Sequence, residues 1–300
     1  MAAIEGKMSW LITGASGQLG KSLIEHLEKR GAFYTGLTKG DLDISSPVSK
    51  EKIIDLKPSV IVNCAAYTLV DQAESERDLA AKVNVSGAKH VALAAKELGV
   101  PLIHISTDYV FSGQRNTPWK TTDKTEPVSQ YGRTKLEGER CIQDVYPEHS
   151  LILRTSWLYG PFGKNFAKTI LKKVLSTKDE LQVVDDQIGQ PTSTLDLARQ
   201  IYDAGTNGIP AGIYHATNSG QVTWYEFAQE ILILSGEPTS RIKPIQSSEY
   251  RTPAKRPSYS VLDHSEWQNT TVAEMDNWKL ALERAFPLIM RETKKEMNLG

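Results

Sequence analysis

The chain has 300 residues, of which 40% are hydrophobic and 24% charged, and its formal net charge at pH 7 is -1. This length is enough for two domains, or for one domain with a sizeable second lobe. A net charge so close to zero gives no signal for binding nucleic acid or an anionic membrane surface. No apolar run approaches the roughly 20 residues of a membrane span. We therefore expect a globular protein without nucleic-acid or membrane partners.

Cysteine and histidine usage argues against a metal centre. Cys64 and Cys141 stand singly, and the six histidines form no pair at the spacing of metal ligands on a helix. We predict no metal site and, from the unpaired cysteines, a cytoplasmic setting. Residues 1–7 lack the organisation of a signal peptide. Whether the natural chain starts at Met1 or at Met8 stays open in the sequence.

The first half of the chain alternates short β-type runs with longer amphipathic segments. Helices are predicted at 18–29, at 79–98 and in the segment that contains Tyr131 and Lys135. Strands are predicted at 9–13, 32–38, 59–65, 101–106 and 150–156. The alternation predicts an α/β fold, a Rossmann-type doubly wound parallel sheet with helices on both faces.

The pattern becomes less regular after residue 156. Helices are predicted at 165–175 and 223–236, and short strands at 180–184 and 212–217, between prolines, aromatic residues and turn signals. We therefore assign residues 8–156 to an NAD(P)-binding domain and residues 157–300 to a smaller substrate-binding lobe. Some later segments of this lobe are expected to return to the first domain.

A glycine-rich turn joins the first predicted strand to the first predicted helix. The segment "GASGQLG", residues 14–20, places its glycines three positions apart. Glycines there permit a tight turn and close approach of the backbone to a phosphate, while the helix N-terminus offers free N–H groups. Because the turn lies in a βαβ context, we predict that it binds a dinucleotide. The residues assigned to this contact are Gly14, Ser16, Gly17, Gln18, Leu19 and Gly20.

The ends of the second and third predicted strands extend this cofactor site. In folds that select NAD, an acidic residue near the end of the second strand binds the adenosine ribose. Thr38 and Lys39 stand there instead, and because a cation favours a 2′-phosphate, NADPH is preferred over NADH. After the third strand, the small side chains of Ala65 and Ala66, with Tyr67, let the backbone pass close to the cofactor. A plain surface lysine and ordinary helix–sheet packing stay open as alternatives.

The segment "QYGRTKLEGE", residues 130–139, places a phenol and an ammonium one helical turn apart. Tyr131 and Lys135 share a helix face, and Thr107 directly follows the fourth predicted strand. Reduction of a ketone needs a proton on oxygen as a hydride reaches carbon. A neighbouring ammonium lowers the pKa of a tyrosine from its usual value of about 10. We predict Tyr131 as the general acid, Lys135 as the residue that tunes it, and Thr107 as the group that polarises the carbonyl.

A tyrosine and a lysine at this spacing, taken alone, are more often part of a solvated helix face. The glycine turn upstream and the polar strand end favour the catalytic interpretation for this pair. Arg133, Glu137 and Glu139 are predicted to be the solvated part of the same helix.

The glycine spacing and the Thr–Tyr–Lys group resemble the extended branch of the short-chain dehydrogenase/reductase superfamily. Several ordered blocks resemble more specifically the dTDP-4-dehydrorhamnose reductase family, from residue 8 to the pair Arg256-Pro257. They are "STDYVFSG", "YGRTKLEGE", "RTSWLYG", "NFAKTIL", "DDQIGQPTSTLDLA", "GIYHATNSG" and "TWYEFA". The resemblance implies reduction of the C4 ketone of dTDP-4-dehydro-β-L-rhamnose by NAD(P)H to dTDP-β-L-rhamnose.

The resemblance also implies roles for individual residues. Asp43 and Ile44 would flank the adenine, and Lys135 would hydrogen-bond the nicotinamide ribose. An arginine suits the geometry of a diphosphate, and the indole of a tryptophan can pack on a hexose, although a core tryptophan is the alternative. Substrate contacts are implied for Thr107, Asp108, Tyr131, Trp157, Gln187 and Arg256.

One position departs from the family pattern. Some relatives dimerise around Mg²⁺ through a glutamate two positions after the last glycine of the turn, and Ser22 stands there in this chain. A homodimer therefore stays open, whereas a metal-bridged one is not expected.

Three alternative functions remain at this point. The first is reduction of another dTDP-4-keto-6-deoxyhexose, which the sequence does not distinguish. The second is a non-catalytic regulatory subunit similar to that of methionine adenosyltransferase, against which the presence of Thr107, Tyr131 and Lys135 argues. The third is an epimerase or dehydratase of the same branch; Tyr109 stands where a 4,6-dehydratase is expected to have a glutamate.

Overall fold

The structure is a computed structural model that describes residues 8–299. The N-terminal stretch considered above lies outside this range. The strands are β1 (Ser9–Thr13), β2 (Phe33–Leu37), β3 (Val60–Asn63), β4 (Leu102–Thr107), β5 (Ser150–Thr155), β6 (Leu158–Tyr159), β7 (Leu181–Val184), β8 (Ile188–Gly189), β9 (Thr192–Ser193), β10 (Gly212–His215), β11 (Val222–Thr223) and β12 (Ile242–Ile245). The helices are α1 (Gln18–Lys29), α2 (Ser49–Asp55), α3 (Arg77–Ala81), α4 (Ala88–Leu98), α5 (Gln130–Val145), α6 (Phe166–Ser176), α7 (Thr194–Asn207), α8 (Trp224–Ser235) and α9 (Trp278–Glu296).

Six parallel strands form the central sheet in the order β10–β5–β4–β3–β1–β2. The chain builds β2 on one side of β1 and then returns to build β3, β4 and β5 on the other side. The switch in direction therefore lies between β1 and β3, and ligands of such sheets bind outside the carboxyl ends of the strands at this point. The strand order confirms the predicted doubly wound parallel sheet.

Side chains that alternate along each strand form a hydrophobic core on both faces of this sheet. In β1, Trp10 and Ile12 pack in the cluster that contains α1 and α7, whereas Leu11 packs in the cluster that contains α2, α4 and α5. In β5, Leu153 and Ile152 divide in the same way. A strand buried on both faces has a nearly continuous apolar sequence, which is the reason that these segments show little alternation of apolar and polar residues.

The C-terminal lobe has a hydrophobic cluster of its own. Its helices α6, α8 and α9 pack around β7 and β12, and Leu171, Phe227 and Ile289 are fully buried between them. Two elements beyond residue 156 belong to the sheet layer instead, since β10 pairs with β5 and α7 packs in the cluster of α1. The division into domains at residue 156 stays a prediction.

Several helices differ from their predicted extents. The predicted helix 79–98 begins at Arg77 and contains a π-helical segment, Lys82–Gly87, between α3 and α4. The sequence analysis did not predict α7 or α9; α9 contains Pro287, which in a sequence is typical of a helix end. Within the described residues, no helix combines the length and apolar character that crossing a bilayer requires.

Candidate active site

A crevice of about 680 Å³ lies at the carboxyl edge of the sheet. Its lining comes from the segments that follow β1, β2, β3, β4 and β5, together with one face of α5. Most of the predicted site residues line it, namely Gly14, Ser16, Gly17, Gln18, Leu19, Gly20, Lys39, Asp43, Ile44, Ala65, Ala66, Tyr67, Thr107, Asp108, Tyr131, Lys135 and Trp157. Three predicted residues do not line it: Thr38, Gln187 and Arg256.

The glycine turn forms one end of the crevice and lies directly against the loop after β3. Gly14 has a left-handed φ of 67°, and a Cβ atom there would lie 2.7 Å from the backbone nitrogen of Ala65. Gly17 caps α1 without any side-chain hydrogen bond. The first N–H groups of a helix have no intrahelical partner, so those at the start of α1 are free for an anion. These features fit the diphosphate of a dinucleotide.

The loop after β2 places its two predicted cofactor residues differently. The Thr38 hydroxyl donates to Asp41 Oδ2 at 2.6 Å, and the Thr38 N–H donates to the same oxygen at 2.9 Å. Thr38 is therefore engaged in a local turn and does not line the crevice, and its contact with the cofactor stays a prediction. Lys39 is exposed and lines the crevice beside Asp43. The Ser45 hydroxyl above all, and then the charge of Lys39, lower the pKa of Asp43.

A buried asparagine of the π-helical segment fixes the loop after β3. The Tyr67 N–H donates to Asn84 Oδ1 at 2.8 Å, and Asn84 Nδ2 donates to the Tyr67 carbonyl at 3.1 Å and to Thr134 Oγ1 at 3.0 Å. The loop is thereby tied to α5 next to Lys135. Sequence reasoning missed Asn84, for which the only signal was an amide on a helix face that is otherwise buried.

The start of α5 positions Tyr131 at the crevice. The Gly132 N–H donates to the Ser129 hydroxyl at 3.2 Å, which caps the helix. Any Cβ on Gly132 would collide with the Tyr109 carbonyl, so a glycine lets α5 pack directly on the end of β4. The rings of Tyr109 and Tyr131 meet edge to face, with centroids 5.5 Å apart. Tyr131 is thus held close to Thr107 and Asp108.

The surroundings of Tyr131 keep its hydroxyl protonated. Burial raises the pKa of Tyr131 to about 12, an effect that the Thr107 hydroxyl opposes and the Asp108 carboxylate reinforces. Burial also raises the pKa of Asp108 to about 6. Asp108 Oδ1 accepts from the Thr107 hydroxyl at 3.0 Å, Oδ2 is buried, and the hydroxyls of Ser260 and Thr107 oppose the rise in pKa. The crevice therefore has a phenolic proton donor beside a hydroxyl and a carboxyl group.

Lys135 does not lower the pKa of Tyr131 as the sequence predicts. Its side chain is buried and extends toward β4, where Nζ donates to the Ile105 carbonyl at 2.6 Å and lies 3.2 Å from His104 Nε2. Burial lowers the pKa of Lys135 to about 8, and the Glu139 carboxylate opposes this shift. Burial of the phenol is the largest influence on the pKa of Tyr131, and the charge of Lys135 is not among the others.

The prediction that Glu139 belongs to a solvated helix face is wrong. Its side chain is buried and forms an ion pair with buried Arg154 of β5, in which Arg154 Nη2 lies 2.7 Å from Oε2. Ser106 also donates to this carboxylate. Arg133 and Glu137 are exposed, as predicted. Glu139 differs because its side of α5 packs against the sheet, where only a paired carboxylate is stable.

A second cavity, of about 870 Å³, lies between the C-terminal lobe and residues 247–258. Gln187 and Arg256 line this cavity, not the crevice. Its cationic lining consists of Lys173, Arg251, Lys255 and Arg256, and none of its lining residues in the described chain is acidic.

Arg256 joins the second cavity to the loop after β3. Its Nη2 lies 2.9 Å from Asp71 Oδ2, and the Ala254 N–H donates to Asp71 Oδ1 at 3.1 Å. The segment before Pro257 is thereby held against the sheet domain. The guanidinium is about one quarter exposed and remains accessible from the cavity.

A pair of tryptophans stands between the crevice and the second cavity. Trp157 lines the crevice and Trp224 lines the second cavity, and their rings stack with centroids 3.5 Å apart and planes at 9°. Trp157 has a left-handed φ of 46°, which is rare outside glycine. Such backbone strain occurs preferentially at functional sites. A ligand with one part on each side of this pair would occupy both spaces.

Comparison with known proteins gives the same picture. The family described as RmlD substrate binding domain matches residues 8–290. A dTDP-4-dehydrorhamnose reductase of Streptomyces griseus is 43% identical, with 93% of each chain covered. A dTDP-4-keto-6-deoxy-D-glucose reductase of Streptomyces niveus is 38% identical, covering 93% of this chain and 97% of the relative.

Solved structures agree with the sequence comparisons. The structure of dTDP-4-dehydrorhamnose reductase from Bacillus anthracis in complex with NADP is 37% identical and superposes with a TM-score of 0.90. The match covers 94% of this chain and 99% of that chain. The chain therefore belongs to the dTDP-4-dehydrorhamnose reductase family.

Proposed function

We propose that this protein reduces the C4 ketone of dTDP-4-dehydro-β-L-rhamnose with NADPH or NADH, giving dTDP-β-L-rhamnose. One observation carries the proposal: a single crevice is lined by the group Thr107, Tyr131 and Lys135 and by the glycine turn, where no side chain caps the N–H groups of α1. The relatives named dTDP-4-dehydrorhamnose reductase, and the NADP complex of one of them, support the same reaction.

The cofactor would lie along the crevice from the glycine turn to Tyr131. When bound, the reduced nicotinamide supplies the hydride. The N–H groups at the start of α1 bind its diphosphate, and Asp43 and Ile44 flank the adenine side of the crevice. Lys39 is exposed at the same end and suits a 2′-phosphate, so we propose that NADPH is preferred.

Tyr131 acts as the general acid of the reduction. Its O–H bond breaks as the proton moves to the C4 oxygen, and the ketone becomes a hydroxyl group. A pKa of about 12 keeps the phenol protonated at neutral pH, ready to donate. Thr107 orients the carbonyl by hydrogen bonding, and Asp108, which also lines the crevice, accepts from a sugar hydroxyl.

We assign the nucleotide part of the substrate to the second cavity. Its cationic lining complements a diphosphate, for which arginine has the best geometry. The tryptophan pair Trp157 and Trp224 lies where the hexose would join the diphosphate. We propose that Arg256, which pairs with Asp71, contacts this diphosphate when the sugar nucleotide binds.

A metal-bridged dimer is not part of the proposal. Ser22 is buried, and its hydroxyl donates to Thr194 Oγ1 at 2.8 Å, so it offers no carboxylate to a metal. Among the described residues, no group of three or more histidine, cysteine, aspartate or glutamate side chains is placed to bind a metal ion. We place the reaction in the cytoplasm, in line with the unpaired thiols Cys64 and Cys141.

Reduction of a different dTDP-4-keto-6-deoxyhexose is the second candidate, because relatives at 38% and 40% identity bear such names. The experiment is a comparison of dTDP-4-dehydro-β-L-rhamnose with dTDP-4-keto-6-deoxy-D-glucose, each incubated with NADPH while the absorbance of the reduced nicotinamide is followed. We expect kcat/KM to be higher for the rhamnose precursor. Consumption only with the other sugar would replace the proposed substrate, and no consumption with either would exclude a reductase.

A further inference from the structure

A four-residue loop of the C-terminal lobe, residues 160–163, lies against the start of α1. It directly follows β6, in which Leu158 lines the crevice. A Cβ atom on Gly163 would lie 3.2 Å from the Cβ atom of Gln18, the first residue of α1. The Nζ atom of Lys21, in the same turn of α1, lies 5.8 Å from the centroid of the Phe162 ring. Loop 160–163 therefore borders the N–H groups that we assign to the cofactor diphosphate.

Three consecutive carbonyl groups of loop 160–163 accept hydrogen bonds from side chains of α6 and its N-cap. Asn165, the N-cap residue, donates through Nδ2 to the Gly160 carbonyl at 3.0 Å and to the Phe162 carbonyl at 3.4 Å. Between them, the carbonyl of buried Pro161 accepts from Lys168 Nζ at 2.9 Å. The position of the loop is thereby linked to α6.

Lys168 is a buried cation whose anionic partner lies at the end of the last helix. Its side chain is 2% exposed, and its Nζ atom lies 2.5 Å from Oε1 of Glu296, the final residue of α9. The other oxygen of this carboxylate, Oε2, lies 2.8 Å from Nζ of Lys172, which is 41% exposed. A buried ammonium is stable only when it is paired and hydrogen-bonded. Glu296 and the Pro161 carbonyl together meet this need for Lys168.

We propose that Lys168 and Glu296 are positioning residues for the cofactor, because they hold loop 160–163 against the start of α1 and thereby strengthen binding of NADPH. Neither residue lines the crevice, so both act through the loop. A released loop would have to be ordered when the cofactor binds, and apparent affinity falls with the fraction of molecules that are already in the binding arrangement. This role rests on the proposed placement of the diphosphate at the start of α1.

The two lysines that share Glu296 allow a matched comparison. Lys168→Met removes the ammonium that reaches loop 160–163, whereas Lys172→Met removes the other partner of the same carboxylate and leaves the bond to Pro161 in place. An apolar side chain in place of a buried ion is often neutral for stability. Glu296 is 42% exposed and keeps Lys172 as its partner in Lys168→Met. We expect both variants to unfold thermally within about 4 °C of the native midpoint.

The state of loop 160–163 can be measured in the full chain without cofactor. Lys164 is exposed and directly follows the loop, so the rate of trypsin cleavage after Lys164, followed by mass spectrometry, reports how often the loop opens. We expect cleavage to be about 10-fold faster in Lys168→Met, which is the low end for loss of a hydrogen bond to a charged group. Lys172→Met should be cleaved at the native rate. Equal rates in the native chain and Lys168→Met would overturn the proposal that Lys168 holds the loop.

Fluorescence titration with NADPH then tests the link to the cofactor. We expect the Kd to rise about 3- to 10-fold in Lys168→Met and to stay within about twofold of the native value in Lys172→Met. Native affinity in Lys168→Met, or equal rises in both variants, would overturn the proposed role of the loop. Failure of the native chain to bind NADPH would instead refute the proposed cofactor site, and the positioning role with it.

Glu296→Ala tests the contribution of α9. Because Glu296 is 42% exposed, its removal leaves no buried cavity, but Lys168 then lacks an anion. A buried ammonium without an anion is driven toward water, which would release the Pro161 carbonyl. We expect faster cleavage after Lys164 and a higher Kd for NADPH, in the same direction as in Lys168→Met. Native values of both in Glu296→Ala would contradict the role of Glu296.

Discussion

The crevice and the second cavity are built from different kinds of structure. The crevice is lined by residues that directly follow five parallel strands and by one face of α5. The second cavity is lined by residues of α6, β7, β12 and α8 and by the irregular segment 247–258. In the first, the sheet fixes the positions of the side chains; in the second, packing between a lobe and a loop does so.

We assign the proposed reaction to the crevice and recognition of the nucleotide to the second cavity. The proposed proton donor and the cofactor contacts lie on regular elements, where the neighbouring strand ends meet at one edge. Arg256, which is proposed to bind the diphosphate, lies on a segment that Asp71 holds in place. We therefore expect changes in the crevice to act on turnover or stability, and changes in the second cavity to act on substrate affinity.

The largest effect is expected for Tyr131→Phe in the crevice. Loss of the phenolic proton should lower kcat by about 10²- to 10⁴-fold, because general acid catalysis contributes about that much. NADPH affinity, measured by fluorescence titration, should stay within about threefold of the native value. Tyr109→Phe is the matched control, with the same atom removed from the neighbouring ring, and should retain most of the activity. Near-native turnover in Tyr131→Phe would exclude Tyr131 as the acid.

Glu139→Gln tests how much the buried ion pair between Glu139 and Arg154 stabilises the fold. It leaves the charge of Arg154 buried without a partner, which typically costs about 3–5 kcal/mol in the free energy of unfolding. Asp276→Asn in the C-terminal lobe is the control, because its ion pair with Arg284 is about half exposed and should contribute at most about 1 kcal/mol. Urea denaturation at pH 7 measures both. Equal losses would show that burial of the Glu139–Arg154 pair does not distinguish the two regions.

Arg256→Ala tests the second cavity. Loss of a charge-assisted hydrogen bond to the diphosphate, about 1.5–3 kcal/mol, should raise KM for the sugar nucleotide by about 10- to 100-fold. The value of kcat should change far less. Asp71→Asn is the control, since it releases Arg256 without removing the cation, and KM should not rise. A fall in kcat with KM unchanged would place Arg256 with the crevice instead.

The smallest effect is expected for Lys39→Ala at the far end of the crevice. An exposed cation beside a phosphate contributes about 0.2–1 kcal/mol, so kcat/KM with NADPH should fall up to about fivefold, while that with NADH stays constant. Lys82→Ala removes another cation near Asp43 and serves as the control. An equal fall with both cofactors would contradict a contact between Lys39 and the 2′-phosphate.

The sequence predicts the fold and the crevice because both follow from local patterns. A strand, a glycine turn and a helix identify the start of the cofactor site, and polar residues at strand ends share one sheet edge. Thr38 was placed in that site by its position in the chain, yet its hydroxyl bonds to Asp41. The lowered pKa of Lys135 was equally unpredictable, since it depends on burial of the side chain.

The other features that the sequence does not reveal come from long-range packing. The residues around Glu139 have the sequence pattern of a solvated helix face. Glu139 is buried because its carboxylate forms an ion pair with Arg154 of β5. The register that aligns Thr13, Asn63 and His104 across three strands cannot be seen in any one segment. Arg256 lies 185 positions from its partner Asp71. Each of these contacts exists only after the sheet has formed.

The most direct test of the account is the destination of the hydride. Incubation with dTDP-4-dehydro-β-L-rhamnose and NADPH deuterated at nicotinamide C4, on the transferred face, should yield dTDP-β-L-rhamnose with one deuterium on sugar C4. Proton and deuterium NMR of the purified product measures its position. Deuterium at C4 in the native protein, with the amount of product strongly reduced in Tyr131→Phe, is the expected result. Product without deuterium at C4, or oxidation of the cofactor without a labelled sugar, would contradict the proposed reaction.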